Sequence, residues 1–290
     1  MAVENFIPMI WSTDILKQFE ANLVFNGLVN RDYEGLIRQQ GDTVKINSIG
    51  PVSLTTYTKN STTLNYELLQ DASQVLQITE SKYFAFKLDD VDKAQSNADL
   101  RAAATYEAGL ALAEDVDKFI AAKYADAATA NKLGSDGSAK TLGYASGNDD
   151  PYKTFVNMGV LMDEANVPAA GRWAVIPPWL HGMLRKSASF IANPAGVTGG
   201  SMVTGSVGTV AGIEVYTSNH LTKNGGGTVW RCMFGVRSAI SLAVQKEATV
   251  EAFRLEGSFS DAVRGLTLYG GKVIRPDALA VLFASKGGDA

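Results

Sequence analysis

The chain of 290 residues is short of several things, and each shortage excludes a class of protein. It has a single cysteine, Cys232. One thiol cannot form an intrachain disulfide or supply a multi-cysteine zinc site, so the reducing cytoplasm is the expected compartment. Long apolar runs are missing too. The longest, Ala278 to Ala284, has seven residues, against the roughly 18 to 20 that span a bilayer, so no membrane association is expected. The first residues, MAVENFIPMIW, carry Glu4 where a signal peptide would carry positive charge, and Asn5 and Pro8 break the apolar run, so they are read as mature protein. Positive charge is scarce: 26 Lys and Arg stand against 30 Asp and Glu, for a net charge of -4 and a pI near 5.3. That balance argues against a tight, sequence-independent hold on nucleic acid, which needs clustered cations on phosphates.

Apolar residues make up 46% of the chain and charged ones 19%, which excludes disorder over its whole length and provides for a sizeable core. Residues 12–25 have the spacing of an amphipathic helix (Ile15, Leu16, Phe19, Leu23, Val24) that runs out at Asn26-Gly27. From Gly41 to about Leu88 the pattern changes to alternation: Val44 and Ile46, a Gly50-Pro51 turn, a Thr-rich stretch, Val75 to Thr79, then Phe84, Phe86 and Leu88. This predicts a long two-stranded excursion. Its middle, 53–65, has one charge, Lys59, and few large apolar groups. A hairpin of that kind is marginal in water, so it must lie against its own domain or another subunit.

A long helix is predicted over 97–125, capped by Ser96 or Asn97, with an apolar face of Leu100, Ala103, Tyr106, Leu110, Ala113, Val116, Ile120 and Tyr124. A Gly/Ser/Asp-rich stretch (131–150) leads to a second helix opening at Pro151. Beyond it come a strand at Trp173 to Ile176, a short helix after Pro177-Pro178, and a glycine-rich loop over 196–212. Short strands are predicted at 213–217, 228–234, 249–255 and 266–274, with Gly225-Gly226-Gly227 as a turn. Long helices among scattered strands make an α+β chain, not a doubly wound sheet.

Candidate chemistry is thin. Gly200 to Gly205 followed by Ser206 has P-loop spacing but lacks the lysine that contacts phosphate, and no dinucleotide fingerprint follows a strand. His181 and His220 sit in different elements without a Ser or Asp at motif spacing; His181 is read as a surface residue. Cys232, in a predicted strand, is read as a small core residue. Asp89, Asp90 and Asp92 form the densest acidic cluster, without EF-hand spacing, and are read as a solvated junction. No catalytic set, cofactor or metal site is assigned. Charge is uneven: 71–126 carries eleven Asp/Glu against six Lys/Arg, and 223–275 eight Lys/Arg against four Asp/Glu. Two solvated faces of one molecule is the simpler explanation, and unlike faces of neighbouring copies meeting is the other.

The order of parts resembles the major capsid (coat) protein of tailed bacteriophages, the fold shared with encapsulin shells. It is carried by IWSTDILKQFEANLVFNGLVNRDYEG, a DTVKI strand, the long helix after KLDDVDKAQSNADL, WAVIPPWLHGML, GTVAGIEVYTSNHL, and FRLEGSFSDAVRGLTLYGGKVIRPDAL with its tyrosine-glycine pair and final Arg-Pro. The resemblance implies an N-terminal arm (1–40), an extended β-hairpin loop (41–90), a peripheral domain with a spine helix (91–168 and 266–290) and an axial domain (169–265). By the same resemblance the protein is no enzyme. It is expected to assemble into pentamers and hexamers of an icosahedral head around double-stranded DNA, in the bacterial host cytoplasm, with a portal. No built-in scaffold of about a hundred residues precedes the arm, so a separate scaffolding protein is expected. Thr56, Tyr57 and Lys59 of the loop, with Trp11 and Phe19 of the arm, are the candidate inter-subunit contacts. Some relatives join subunits by a lysine–asparagine isopeptide bond; Lys59 lies in the loop, and the sequence names no partner for it. The alternatives are an encapsulin-like compartment and, more remotely, a hydrolase or nucleotide-binding enzyme working through His181 or Gly200 to Gly205.

Overall fold

A computed structural model describes residues 24–33, 43–49, 71–89, 100–186, 206–255 and 260–288, with Thr56, Lys59 and Gly257 besides. Its elements in chain order are β1 (Thr43–Ile49), β2 (Asp71–Gln77), β3 (Glu80–Asp89), α1 (Leu100–Ala122), β4 (Lys132–Leu133), β5 (Lys140–Leu142), α2 (Pro151–Glu164), β6 (Arg172–Ile176), α3 (Pro178–Lys186), β7 (Ser206–Val210), β8 (Ile213–Thr217), β9 (Val229–Val236), β10 (Ile240–Arg254), β11 (Ser260–Val273) and β12 (Leu279–Lys286). Among the described residues the strands make three sheets. β1 and β2 pair as an antiparallel hairpin, β3, β11 and β10 form an antiparallel sheet, and seven strands run β4-β12-β9-β6-β8-β7 with β5 also on β12.

The seven-stranded sheet is the driest part. The apolar run read in sequence only as too short for a membrane forms β12, which is buried over Leu279 to Ala284. It lies between β9 and the short parallel strands β4 and β5. A strand covered on both faces has no alternation to show. Phe155 of α2 meets Phe234 of β9 edge to face, and Tyr124 beyond α1 meets Phe283 of β12 in the same way. α2 starts where expected: Asp150 accepts from the Tyr152 and Lys153 N–H groups, and Pro151 stands in the first turn. It ends at Asn166, in the left-handed region at φ 54°. Arg172, with a side chain only 6% exposed, ties that end down by donating to the Val167 and Pro168 carbonyls and to Asp163.

α1 has 23 residues, about 34 Å at roughly 1.5 Å per residue. Its buried stripe is Ala108, Leu112, Ala113, Val116, Asp117, Ile120 and Ala121. Tyr106, placed on the apolar face by periodicity, is exposed. Alanine on most sides of this helix lets neighbouring stripes satisfy the same spacing, and the packing selects one of them.

The inner face of the three-stranded sheet packs on α1, where Tyr269 meets Phe119 edge to face and donates its hydroxyl to Asp115. The junction of β2 and β3 crosses over β11 at Gly270, where an added Cβ would collide with the Gln77 carbonyl oxygen and lie 2.8 Å from Ile78 Cα. The base of the long hairpin therefore rests on its own subunit. Val44, Ile46 and Leu76 pack with Ala243 in a small separate core, and Gln74 donates to the Ile274 carbonyl.

Two further expectations meet the structure differently. β10 runs from Ile240, nine residues before the predicted strand start, because register shifts between Val244 and Thr249 break the alternation. Within the predicted glycine loop, 206–210 is strand β7, joined to β8 by a turn at Ala211-Gly212 with φ 50° and 79°. Residues 12–23 of the predicted arm helix, the cap at Ser96 or Asn97 and Gly200 to Gly205 lie outside the described residues, and the predicted helix's last two residues form a bend at Val24 and the start of a 3-10 turn at Phe25. The pairing of β12 with β9 also ties 279–286 to the strands of 172–236, and β10 and β11 pair across position 265.

Two substitutions test this account. Gly270→Ala is expected to cost about 2–3 kcal/mol in denaturant unfolding of the unassembled subunit, because the obstacle is backbone. Ala211→Asn relieves a left-handed alanine in a hairpin turn and is expected to gain about 0.5–1 kcal/mol; an unchanged midpoint would refute the strain at Ala211.

Candidate assembly surface

The residues considered for catalysis are not brought together. Cys232 is fully buried on β9, and burial pushes its thiol far up, so the reactive thiolate is suppressed. His181 is half-buried on α3, only partly at the surface, because its neighbours Leu180, Met183 and Leu184 pack into the core. Its Nε2 has no hydrogen-bond partner, and burial followed by the Arg185 charge holds its pKa below the usual histidine value. Among the described residues no three His, Cys, Asp or Glu side chains gather as a metal site, and no helix is long and apolar enough to cross a membrane. An open hollow of about 270 Å³ beside α2 is lined by Ala128, Asn131, Leu161, Glu164 and Asp277 and gathers no nucleophile or base pair. Of the acidic cluster, Asp89 ends β3, and Asp90 and Asp92 lie outside the described residues.

What the structure does offer is an uncovered sheet face. Directly paired residues in an antiparallel sheet share a face, and successive residues alternate. Phe84, Phe86, Val263, Gly265 and Tyr269 point inward, and the ring of Phe84 fills the space above Gly265 that a side chain would need. The opposite phase brings Tyr83, Ala85 and Lys87 of β3 beside Leu266 and Arg264 of β11, and Glu251 and Phe253 of β10. Tyr83 is 80% exposed and Phe253 42%. Between them Arg264 donates to Glu251 at 2.7 and 2.9 Å, with its guanidinium 5.1 Å from the Phe253 ring centre. An exposed pair like this contributes at most about 1 kcal/mol; its effect is to neutralise the centre of the face. Arg254 and Asp261, in the opposite phase at the end of the sheet, make another exposed pair at 3.4 Å.

The acidic and basic segments noted in sequence are neighbours in this one lobe, since β3 of the first pairs with β11 of the second. They are not opposite faces of the molecule. Of the contact residues expected from sequence, Thr56 and Lys59 are exposed, and Tyr57, Trp11 and Phe19 lie outside the described residues. Tyr83, Glu251, Phe253 and Arg264 were not identified from sequence. The alternation of Phe84, Phe86 and Leu88 implies an opposite phase containing Tyr83, but joining it to Phe253 requires the register of two further strands.

The chain's likeness to known proteins can be set beside this geometry. A family profile for phage capsid protein matches residues 73–282. Among solved structures, a protein of Mycobacterium phage Che8 is 31% identical, with 90% of each chain covered and a TM-score of 0.72. A chain from the capsid of Cyanophage P-SCSP1u is 22% identical over 86% of this chain and 85% of its own, with a TM-score of 0.66. A chain of a virus-like particle from Pyrococcus furiosus is 13% identical over 94% of this chain and 98% of its own, with a TM-score of 0.59. No curated protein matches the chain.

Cys232 is expected to stay unlabelled by a thiol reagent at neutral pH in the native protein and to react with one equivalent on unfolding. Native-state labelling at the unfolded rate would contradict its burial.

Proposed function

From the premise that this chain belongs to the phage capsid protein family, and is a self-assembling structural subunit of the virion shell with no enzymatic role, we propose how its surfaces serve that shell. The lobe built from the seven-stranded sheet with α2 and α3 lies towards the local symmetry axes, and α1 with the three-stranded sheet forms the peripheral part. This division follows sheet membership and so differs from the boundary drawn from sequence, with residues 132–164 and 279–286 on the axial side and 240–265 on the peripheral side. Copies meet as pentamers and hexamers enclosing double-stranded DNA, with a portal, a separate scaffolding protein and assembly in the host cytoplasm.

The outer face of the three-stranded sheet carries the reading. It is aromatic at two corners, Tyr83 and Phe253, and its central charges already neutralise each other. Covering Arg264 alone would strand a charge at high cost, whereas covering an Arg264–Glu251 pair does not. The middle of the extended loop, with Lys59 as its one charge over 53–65, has the matching chemistry. Thr56, Tyr57 and Lys59 of one copy lie on this face of the next. Trp11 and Phe19 are assigned to a second contact through the arm.

Tyr83→Asp and Phe253→Asp each place a carboxylate on the face without touching the core. Each is expected to lower the fraction of protein sedimenting as particles about tenfold, equivalent to ~1.4 kcal/mol, with unchanged circular dichroism. Particles visible by negative stain at wild-type yield in both variants would sink the assignment of this face. A wild-type protein that stays monomeric even with its scaffolding partner would sink the shell reading itself.

A further inference from the structure

Residues 24–30 run across the place where α1 and the two larger sheets meet. Phe25 and Val29 are fully buried. The Phe25 ring stands edge-on to Trp173 of β6, with centroids 6.1 Å apart. At the other end Asn30 exchanges backbone hydrogen bonds with β10, donating to the Ile240 carbonyl and accepting from the Leu242 N–H, each at 2.9 Å. Between these ends, Asp117 of α1 accepts from the Val24 N–H at 3.0 Å and the Phe25 N–H at 3.2 Å. The Asp117 side chain has no exposed surface. One short segment thus binds the long helix, the seven-stranded sheet and the three-stranded sheet at once.

We propose that residues 24–30 are a strap that closes the seam between the two large sheets, and that Asp117 is its latch, solvated when the strap lifts. Two features distinguish a strap from ordinary core. Trp173 Nε1 and Ser241 Oγ, each on a residue that meets the strap, are buried without a hydrogen-bond partner, so closure leaves polar groups unsatisfied that lifting would release to water. Among the described residues the latch is also an ionisable group held by backbone N–H groups and not by an ion pair, at a place where an apolar side chain would pack more cheaply.

The charged groups around the latch are few among the described residues. His220, in the connection from β8 to β9, bears on Asp117 electrostatically. Glu114 and Lys118 on α1 pair with each other at 2.8 Å. Arg31 and Asp32 lie at the far end of the strap, where Arg31 donates to Asn26 and the Asp32 N–H to Asn30. Burial raises the Asp117 pKa from 3.8 to about 6, against the pull of the two N–H groups and His220. The closed state therefore takes up a proton near pH 6 and the lifted state near 3.8, so between those values the closed state binds more protons. Acid holds the strap down, and neutral pH favours lifting.

Amide hydrogen exchange on the unassembled full-length subunit, corrected for intrinsic rates, tests this between pH 5 and pH 8. Strap amides and the Leu242 amide are expected to open more readily as pH rises, by about tenfold over that window, while β9 and β12 stay protected throughout. Asp117→Asn should flatten that dependence. His220→Gln removes the charge opposing protonation, so it should move the transition to higher pH. The wild-type profile needs no variant: a pH-independent strap, or one that opens only together with β12, overturns the proposal. So does a dependence that survives in Asp117→Asn or vanishes in His220→Gln.

Discussion

The crossing of the β2–β3 junction over Gly270 is the contact on which the arrangement of parts depends. Gln77 and Ile78 come close enough to β11 that no side chain fits between them. That approach fixes where the long hairpin leaves the body of the subunit and where β3 begins its pairing. The neighbouring Tyr269 reaches the other way, into α1, through Phe119 and Asp115. Two adjacent residues of one strand therefore set the position of the extended loop and of the long helix. Glycine serves here by lacking a side chain, not by a special backbone angle, since Gly270 is absent from the positive-φ residues.

The two sheet systems divide the energetic work. The seven-stranded sheet is covered on both sides at its centre, with β6 buried along its whole length, and supplies most of the dry core. The three-stranded sheet is covered along one side, while the other is covered only at its Gly270 end by the base of the hairpin, and the rest of that side mixes aromatic rings with a neutralised charge pair. Such a surface suits a protein that must be soluble alone and still join neighbours. Many modest contacts of this kind, closed by symmetry, hold a shell together without any single strong interface.

Legibility from sequence follows the same division. α2 was readable because Pro151 and the spacing of Phe155, Met158 and Met162 are local signals that the structure keeps, whereas the Asp150 cap was seen only in the structure. β8 was readable from its alternation, Ile213 and Val215 buried around Glu214. β12 was not, because a run apolar on both faces shows no period, and its role is decided by β9, about fifty residues earlier. Nor was Asp117, which stands in sequence among Glu114, Asp115 and Lys118 like any residue of a solvated helix face. Only the buried segment packed against it makes it different. The outer sheet face was half legible: the phase of β3 could be read, the register that gathers Tyr83, Arg264 and Phe253 could not.

Electrostatics decide what kind of neighbour the proposed surface accepts. A segment carrying its own carboxylate or ammonium would be desolvated over Arg264 and Glu251, which already satisfy each other, and would find no free partner there. A segment with almost no charge adds no desolvation cost of its own to that of covering the pair. The extended loop meets that condition, since Lys59 can keep its ammonium in water at the edge while Thr and Tyr side chains cover the rings. The face thus selects its occupant by penalising charged competitors more than by rewarding a particular contact. Because the pair at the centre of the face is neutral and the loop brings only Lys59, kept in water, such a contact responds weakly to ionic strength. DNA binding through phosphates falls steeply with salt, so the shell's own contacts are electrostatically separate from its acidic relation to the DNA it is proposed to enclose.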